Sequence, residues 1–134
     1  MDFRASHRFA RISPRKARLV MDLIRGKPIN RALEILKFNR KRGAYMIDKV
    51  VRSALANAEN RITEQRLPID VDSLYVADAR VDRGPKYRRW RPRSRGLVHP
   101  YYKFTSHLSV ILREAEEPEE EEGKKSKKKK GKRK

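Results

Sequence analysis

Cysteine is absent and tryptophan occurs once in this chain of 134 residues. Without cysteine there are no disulfides, no thiolate nucleophile and no Cys-ligated zinc, a composition compatible with a reducing compartment. No stretch approaches the ~20 consecutive apolar residues of a bilayer-spanning helix. The opening MDFRASHRFARIS is charged throughout and lacks the apolar run of a secretory signal, so an intracellular, cytoplasmic location is the expectation. Acid is also scarce: 17 Asp and Glu stand against 36 Lys and Arg, for a net charge of +19. A fold with this excess repels itself unless a polyanion neutralises it, so the partner is either nucleic acid or an anionic surface. Residues 1–113 hold 27 of the cations and 10 of the acids, which assigns the excess to the folding part of the chain.

Site chemistry for catalysis is missing as well. His7, His99 and His107 are the three histidines, no two of them stand at i, i+4 on a helical pattern, and no acidic cluster accompanies them, so neither a metal nor any other cofactor is expected. Ser106 and His107 are neighbours on a strand pattern and face opposite sides, which rules out a dyad. Neither a glycine-rich phosphate loop nor a G-x-S-x-G elbow occurs. The protein is not expected to be an enzyme.

Periodicity outlines one domain over residues 1–113. Phe3, Ala5, His7 and Phe9 alternate with Arg4, Ser6 and Arg8, the pattern of a half-buried strand. Ser13-Pro14 reads as an N-cap with proline at the first helical position, and Ala17, Val20, Met21 and Ile24 form the apolar stripe of a helix over 14–25 that Gly26 ends. Asn30 is a candidate cap for a second helix burying Leu33, Ile35 and Leu36. Ile47, Val50, Val51, Ala54, Leu55, Ala58 and Ile62 mark the core helix, from about Arg42 to Arg61. Two strand patterns follow. In the first, Tyr75, Ala77, Ala79 and Val81 lie opposite Leu74, Val76, Asp78 and Arg80; in the second, Tyr102 to Leu112 alternates with its even positions inward. The expected fold is α+β: a small antiparallel three-stranded sheet packed on three helices, with a long protruding β-hairpin over about 81–103. Residues 114–134, an acidic block and then a basic one, lack apolar periodicity and read as a disordered tail.

The stretch between the last two strands decides the functional reading. In DRGPKYRRWRPRSRGLVHP, Arg83, Lys86, Arg88, Arg89, Arg91, Arg93 and Arg95 follow Asp82 with no further acid. Its flanks are antiparallel strands, and a structureless loop of this length is uncommon, so two extended arms of about ten residues, each reaching ~30 Å, are expected. An isolated ribbon is marginal in water and this one carries self-repulsion, which implies an external scaffold. Arginine binds phosphate in bidentate fashion and stacks on bases, and Tyr87, Trp90, Tyr101 and Tyr102 add flat faces, so RNA suits that role. Pro85, Pro92, Pro100 and Gly96 suggest a bent arm rather than a regular ladder, with the tip at Arg93 to Gly96. Candidate RNA contacts are Arg8, Arg11, Arg15, Lys16, Arg18, Arg25 and Lys27 on the body, and Arg83, Lys86, Tyr87, Arg88, Arg89, Trp90, Arg91, Arg93, Arg95 and Lys103 on the arm. The rival reading is an architectural DNA-binding protein with a basic β-ribbon arm, which would need a dimer. A membrane-surface role fits less well, because the cations interrupt helices and strands alike instead of forming one basic amphipathic helix.

ARISPRKARLVMDLIRGK, RALEIL, SALANAEN, VDRGPKYRRWRPRSRG and TSHLSVIL, in that order, resemble the L twenty-two family of large-subunit ribosomal proteins in its bacterial or organellar form. The resemblance covers residues 3–113. It implies a body on the solvent side of the large subunit near the nascent-chain exit, in contact with 23S-type ribosomal RNA and neighbouring large-subunit proteins. It also implies early binding in assembly, no stable homo-oligomer, and a hairpin tip (Arg91, Pro92, Arg93, Ser94, Arg95 and Gly96) that lines the exit tunnel beside the nascent polypeptide. Trp90 and the stretch Val98 to Tyr102 depart from the family's small or basic residues, and the tail lies outside its common pattern.

Overall fold

Proline at the first helical turn, an apolar stripe and a terminal glycine produce the first helix where the sequence predicts it. The computed structural model describes residues 1–114 in the order β1 (Phe3–Ala10), α1 (Pro14–Ile24), α2 (Ile29–Phe38), α3 (Arg42–Gln65), β2 (Leu74–Pro92) and β3 (Val98–Glu114). Gly26 takes φ +72, a conformation that costs glycine little, and its N–H donates to the carbonyl of Val76 at 2.8 Å, so the end of α1 is tied to β2. Ser13 sits at the N-cap but its side chain makes no capping bond. Glu114 pairs with Leu74 as the last residue of β3; the rest of the expected tail lies outside the described residues.

The sheet is antiparallel in the order β1-β3-β2, with α1 packed on β2 and α3 on β1. Phe3, Met21, Ile24, Ile29, Ile47, Leu74, Leu108 and Leu112 are the large side chains of the core. β3 alternates strictly from Ser106 to Leu112 with its even positions buried, as expected. Tyr102 and Phe104 are on the same face but beyond the body, and both are exposed, which corrects the expectation that the inward face runs the whole strand.

Three further departures have local causes. On β2 the register shifts between Val76 and Asp78, so the buried set is Leu74 and Val76, then Ala79 and Val81; one extra residue changes the phase of the pleat. On β1 Ala10, not Phe9, is buried, because the register shifts between His7 and Ala10 and Phe9 takes φ 59. α2 begins at Ile29 behind Pro28 and buries Ile29, Ala32 and Leu36, while Leu33 and Ile35 are only partly buried. Asn30 is inside that helix and bonds to the Asp72 carboxylate at 3.1 Å instead of capping.

Candidate nucleic-acid interface

Past the body, β2 and β3 continue as a two-stranded ribbon. Its root is a bulge. Arg83 pairs with Ser106 and Lys86 with Phe104, leaving Gly84 and Pro85 opposite Thr105 alone, whose hydroxyl donates to the Pro85 carbonyl at 2.7 Å. From there the ladder is continuous through Tyr87–Lys103, Arg88–Tyr102, Arg89–Tyr101, Trp90–Pro100, Arg91–His99 and Pro92–Val98. The expected irregular arm is thus a regular ribbon with one bulge. In a two-stranded ribbon alternate N–H groups point to solvent, so proline at such a position removes no ladder bond. At the tip Arg93 N–H donates to the Leu97 carbonyl at 2.7 Å, and Arg95 and Gly96 both take left-handed φ values, 57 and 68.

Cross-strand partners share a face, so the ribbon has two distinct ones. The first carries Lys86, Arg88, Trp90, Tyr102 and Phe104. Its Arg88 guanidinium lies 4.3 Å from the Trp90 ring and its Lys86 ammonium 5.6 Å from the Phe104 ring. The second carries Tyr87, Arg89, Arg91, Tyr101 and Lys103, with Arg91 and Lys103 at 5.3 and 5.7 Å from the Tyr101 ring. Each face thus interleaves cations with flat rings, and cation–π contacts of ~0.5–1 kcal/mol each at exposed sites offset part of the repulsion. Trp90 is 56% exposed and anchors no core. The ribbon has no apolar interior: every residue from Lys86 to Pro100 is exposed. Its charges and rings therefore face outward, the arrangement by which single-stranded or irregular RNA is held through phosphate contact and base stacking.

The body's candidate residues divide into groups. Arg15 and Arg18 line a cleft with Arg83, Lys86, Gly84 and Phe104, where the start of α1 meets the hairpin root. Arg11 and Lys16 line a second cleft with Lys41 and Arg42, two cations that periodicity did not single out because only the packing of α1 beside α3 brings them there. Arg25 and Lys27 sit apart, at the other end of α1. Two of the candidates also do structural work. Arg18 donates through Nε and Nη2 to the Val81 carbonyl at 3.3 and 3.0 Å, and Arg25 through Nη2 to the Ala79 carbonyl at 2.7 Å, fastening α1 to β2. At the far end of the sheet Arg113 donates to Asp2 at 2.6 Å, with Arg4 on the same carboxylate; these bonds lower the Asp2 pKa from 3.8 to about 2 and raise that of Arg113. A bond to Asp78 likewise raises Arg80.

Among the described residues no group of three or more His, Asp or Glu could hold a metal ion, and no helix is long and apolar enough to cross a membrane. The family whose model matches residues 5–113 is described as ribosomal protein L22p/L17e. Among similar proteins, the "Large ribosomal subunit protein uL22" of Syntrophobacter fumaroxidans is 47% identical over 114 residues, covering 85% of this chain and 99% of its own. The proteins of that name from Carboxydothermus hydrogenoformans and Ligilactobacillus salivarius are 46% and 49% identical, covering 87% and 81% of this chain and 99% and 90% of theirs.

Proposed function

Because the chain belongs to the ribosomal protein L22p/L17e family, in its bacterial form and as a structural constituent of the large ribosomal subunit rather than an enzyme, we propose that it binds 23S-type ribosomal RNA through the hairpin and the adjoining face of α1. The single observation that carries this reading is the acid-free ribbon from Lys86 to Lys103, whose two faces interleave cations with exposed rings. Guanidinium groups pair with phosphates in a fixed fork, and the rings offer stacking surfaces to unpaired bases. The same reading has the protein support subunit assembly beside neighbouring large-subunit proteins in the cytoplasmic ribosome, without a stable homo-oligomer. In it, the tip from Arg91 to Gly96 lines the tunnel that the nascent polypeptide leaves by. Family membership favours this over the DNA-bending reading of the same arm.

Two measurements test it. Binding to 23S-type RNA transcribed in vitro falls about a thousandfold between 50 and 200 mM salt if some six phosphates are neutralised, and a flat salt response refutes the phosphate-clamp reading. A photocrosslinker at Ser94 of ribosome-incorporated protein labels nascent chains during translation. Labelling of RNA alone, with no nascent chain, refutes the tunnel assignment.

A further inference from the structure

Phe9 combines three properties that do not ordinarily occur together. It is a bulky residue at φ 59, it is 53% exposed, and it lies in a strand of a well-packed sheet. Left-handed φ is rare for such side chains, because Cβ crowds the carbonyl. The local geometry explains the backbone. His7 pairs with Leu108 and Ala10 with Ser106, so Arg8 and Phe9 together oppose His107, and this bulge turns Ala10 into the core ahead of α1. The Phe9 N–H, displaced from the ladder, donates to His107 Nδ1 at 3.1 Å. Glycine would make the same bulge without the crowding. The bulge accounts for the conformation but leaves the ring unexplained, and the core does not use it.

Instead the ring stands edge-on to His107, with centroids 4.8 Å apart and planes at 82°. The Arg8 guanidinium lies 5.9 Å from its centroid. His107 alternates between buried Ser106 and Leu108, so the pair is on the sheet face away from the core. Across the strand His107 pairs with Asp82, an acid that makes this spot less hospitable to phosphate than the ribbon is. An exposed ring held in a strained backbone, braced by an imidazole and flanked by an arginine, suits a flat uncharged partner.

We propose that Phe9, braced by His107, is a second stacking platform that takes one unpaired RNA base at the root of the hairpin, separate from the aromatic residues of the ribbon. This rests on the RNA-binding reading above. Stacking and phosphate contact differ in their salt dependence: a lost stack lowers affinity and leaves the slope of log affinity against log salt unchanged, whereas a lost phosphate contact lowers the slope by about one. The full chain is measured with 23S-type RNA as wild type and as Phe9→Gly, Phe9→Leu, Phe9→Tyr and Arg89→Ala. Phe9→Gly and Phe9→Leu, shown folded by far-ultraviolet dichroism, are expected to bind about 5- to 100-fold more weakly with an unchanged slope. Phe9→Tyr stays within about twofold, and Arg89→Ala lowers the slope. In the wild-type complex, which needs no variant to fold, ultraviolet crosslinking attaches a base to the tryptic peptide of residues 9–11. Full affinity of folded Phe9→Gly and Phe9→Leu, or crosslinks at ribbon aromatics with none at Phe9, overturns the proposal while leaving the RNA reading intact. A wild-type chain with no salt-dependent binding overturns both.

Discussion

Gly84 is where a single added methyl group should do the most damage for its size. A Cβ there would lie well inside contact distance of Thr105 Oγ1 and 3.2 Å from both the carbonyl carbon and the carbonyl oxygen of the same residue. The hydroxyl could rotate away, but only by giving up its bond to the Pro85 carbonyl, and the backbone atoms cannot move without opening the ladder. Thr105 is buried and lies beside the core strand positions, so the damage reaches the body. Overpacking of this kind costs about 1–3 kcal/mol and the lost buried hydrogen bond about 1 kcal/mol, which together predict roughly 2–4 kcal/mol for Gly84→Ala. For a domain of this size that lowers Tm by about 10–20 °C and moves the urea midpoint by about 1–2 M. Thermal and urea unfolding followed by dichroism measure it. Adding Thr105→Ala should recover part of the loss, because it removes the hydroxyl obstacle but leaves the backbone one. A Gly84→Ala protein that unfolds within about 2 °C of wild type would refute the reasoning, and so would complete rescue by Thr105→Ala.

Two other perturbations separate structural from surface roles. Arg18→Met removes both bonds to the Val81 carbonyl and is expected to cost about 1–2 kcal/mol in urea unfolding, whereas Lys16→Met two residues away stays within about 0.5 kcal/mol; equal effects would contradict the fastening of α1 to β2. For Asp2 the folded pKa of about 2 lies below the ordinary 3.8, so its pairing with Arg113 and Arg4 stabilises the fold above pH 4 and is lost as pH falls through about 2. The Tm difference between wild type and Asp2→Asn should therefore be present at pH 6, shrink between pH 4 and pH 2, and vanish only below pH 2. A difference that does not change with pH would show that the ion pairs contribute nothing.

What could be read in advance depended on whether a segment keeps its phase. α1, α3 and β3 do, and their buried sets, from Ala17 to Ile24, Ile47 to Ala58 and Ser106 to Leu112, follow the expected stripes. β1 and β2 do not. Each bulge lies on an outer strand opposite β3, and one extra residue at Phe9, Ala77 or Gly84-Pro85 shifts everything after it by half a pleat, a change that period-two reading has no means to locate. The start of α2 was hidden for another reason: Pro28 bridges to Tyr75 across the fold, a contact no local pattern contains. The hairpin was legible because its signal is chemical, a dense run of arginine bounded by two strand patterns. The cleft joining Arg11 and Lys16 to Lys41 and Arg42 was not, because residues some 25 positions apart meet only through helix packing.

The root bulge also decides what the ribbon presents. β3 runs through the root without interruption, so Phe104 and Tyr102 continue the face that carries the helices, and Phe104 lines the cleft at the start of α1. The extra residue at Gly84-Pro85 brings Lys86, Arg88 and Trp90 onto that face, opposite Phe104, Tyr102 and Pro100. If the same residues ran on in a regular pleat with no bulge, Lys86 would occupy the opposite face together with Arg88 and Trp90, and Tyr87, Arg89 and Arg91 would cross to the helix side. Arg15 and Arg18 of α1 would then meet a different set of cations and rings. Charge composition makes the ribbon basic whatever its register, but the pairing of particular guanidinium groups with particular rings, and the continuity of one such face with α1, depend on a bulge that only glycine accommodates at the distance Thr105 allows. The residue that sets which face each ribbon side chain occupies therefore carries neither charge nor ring.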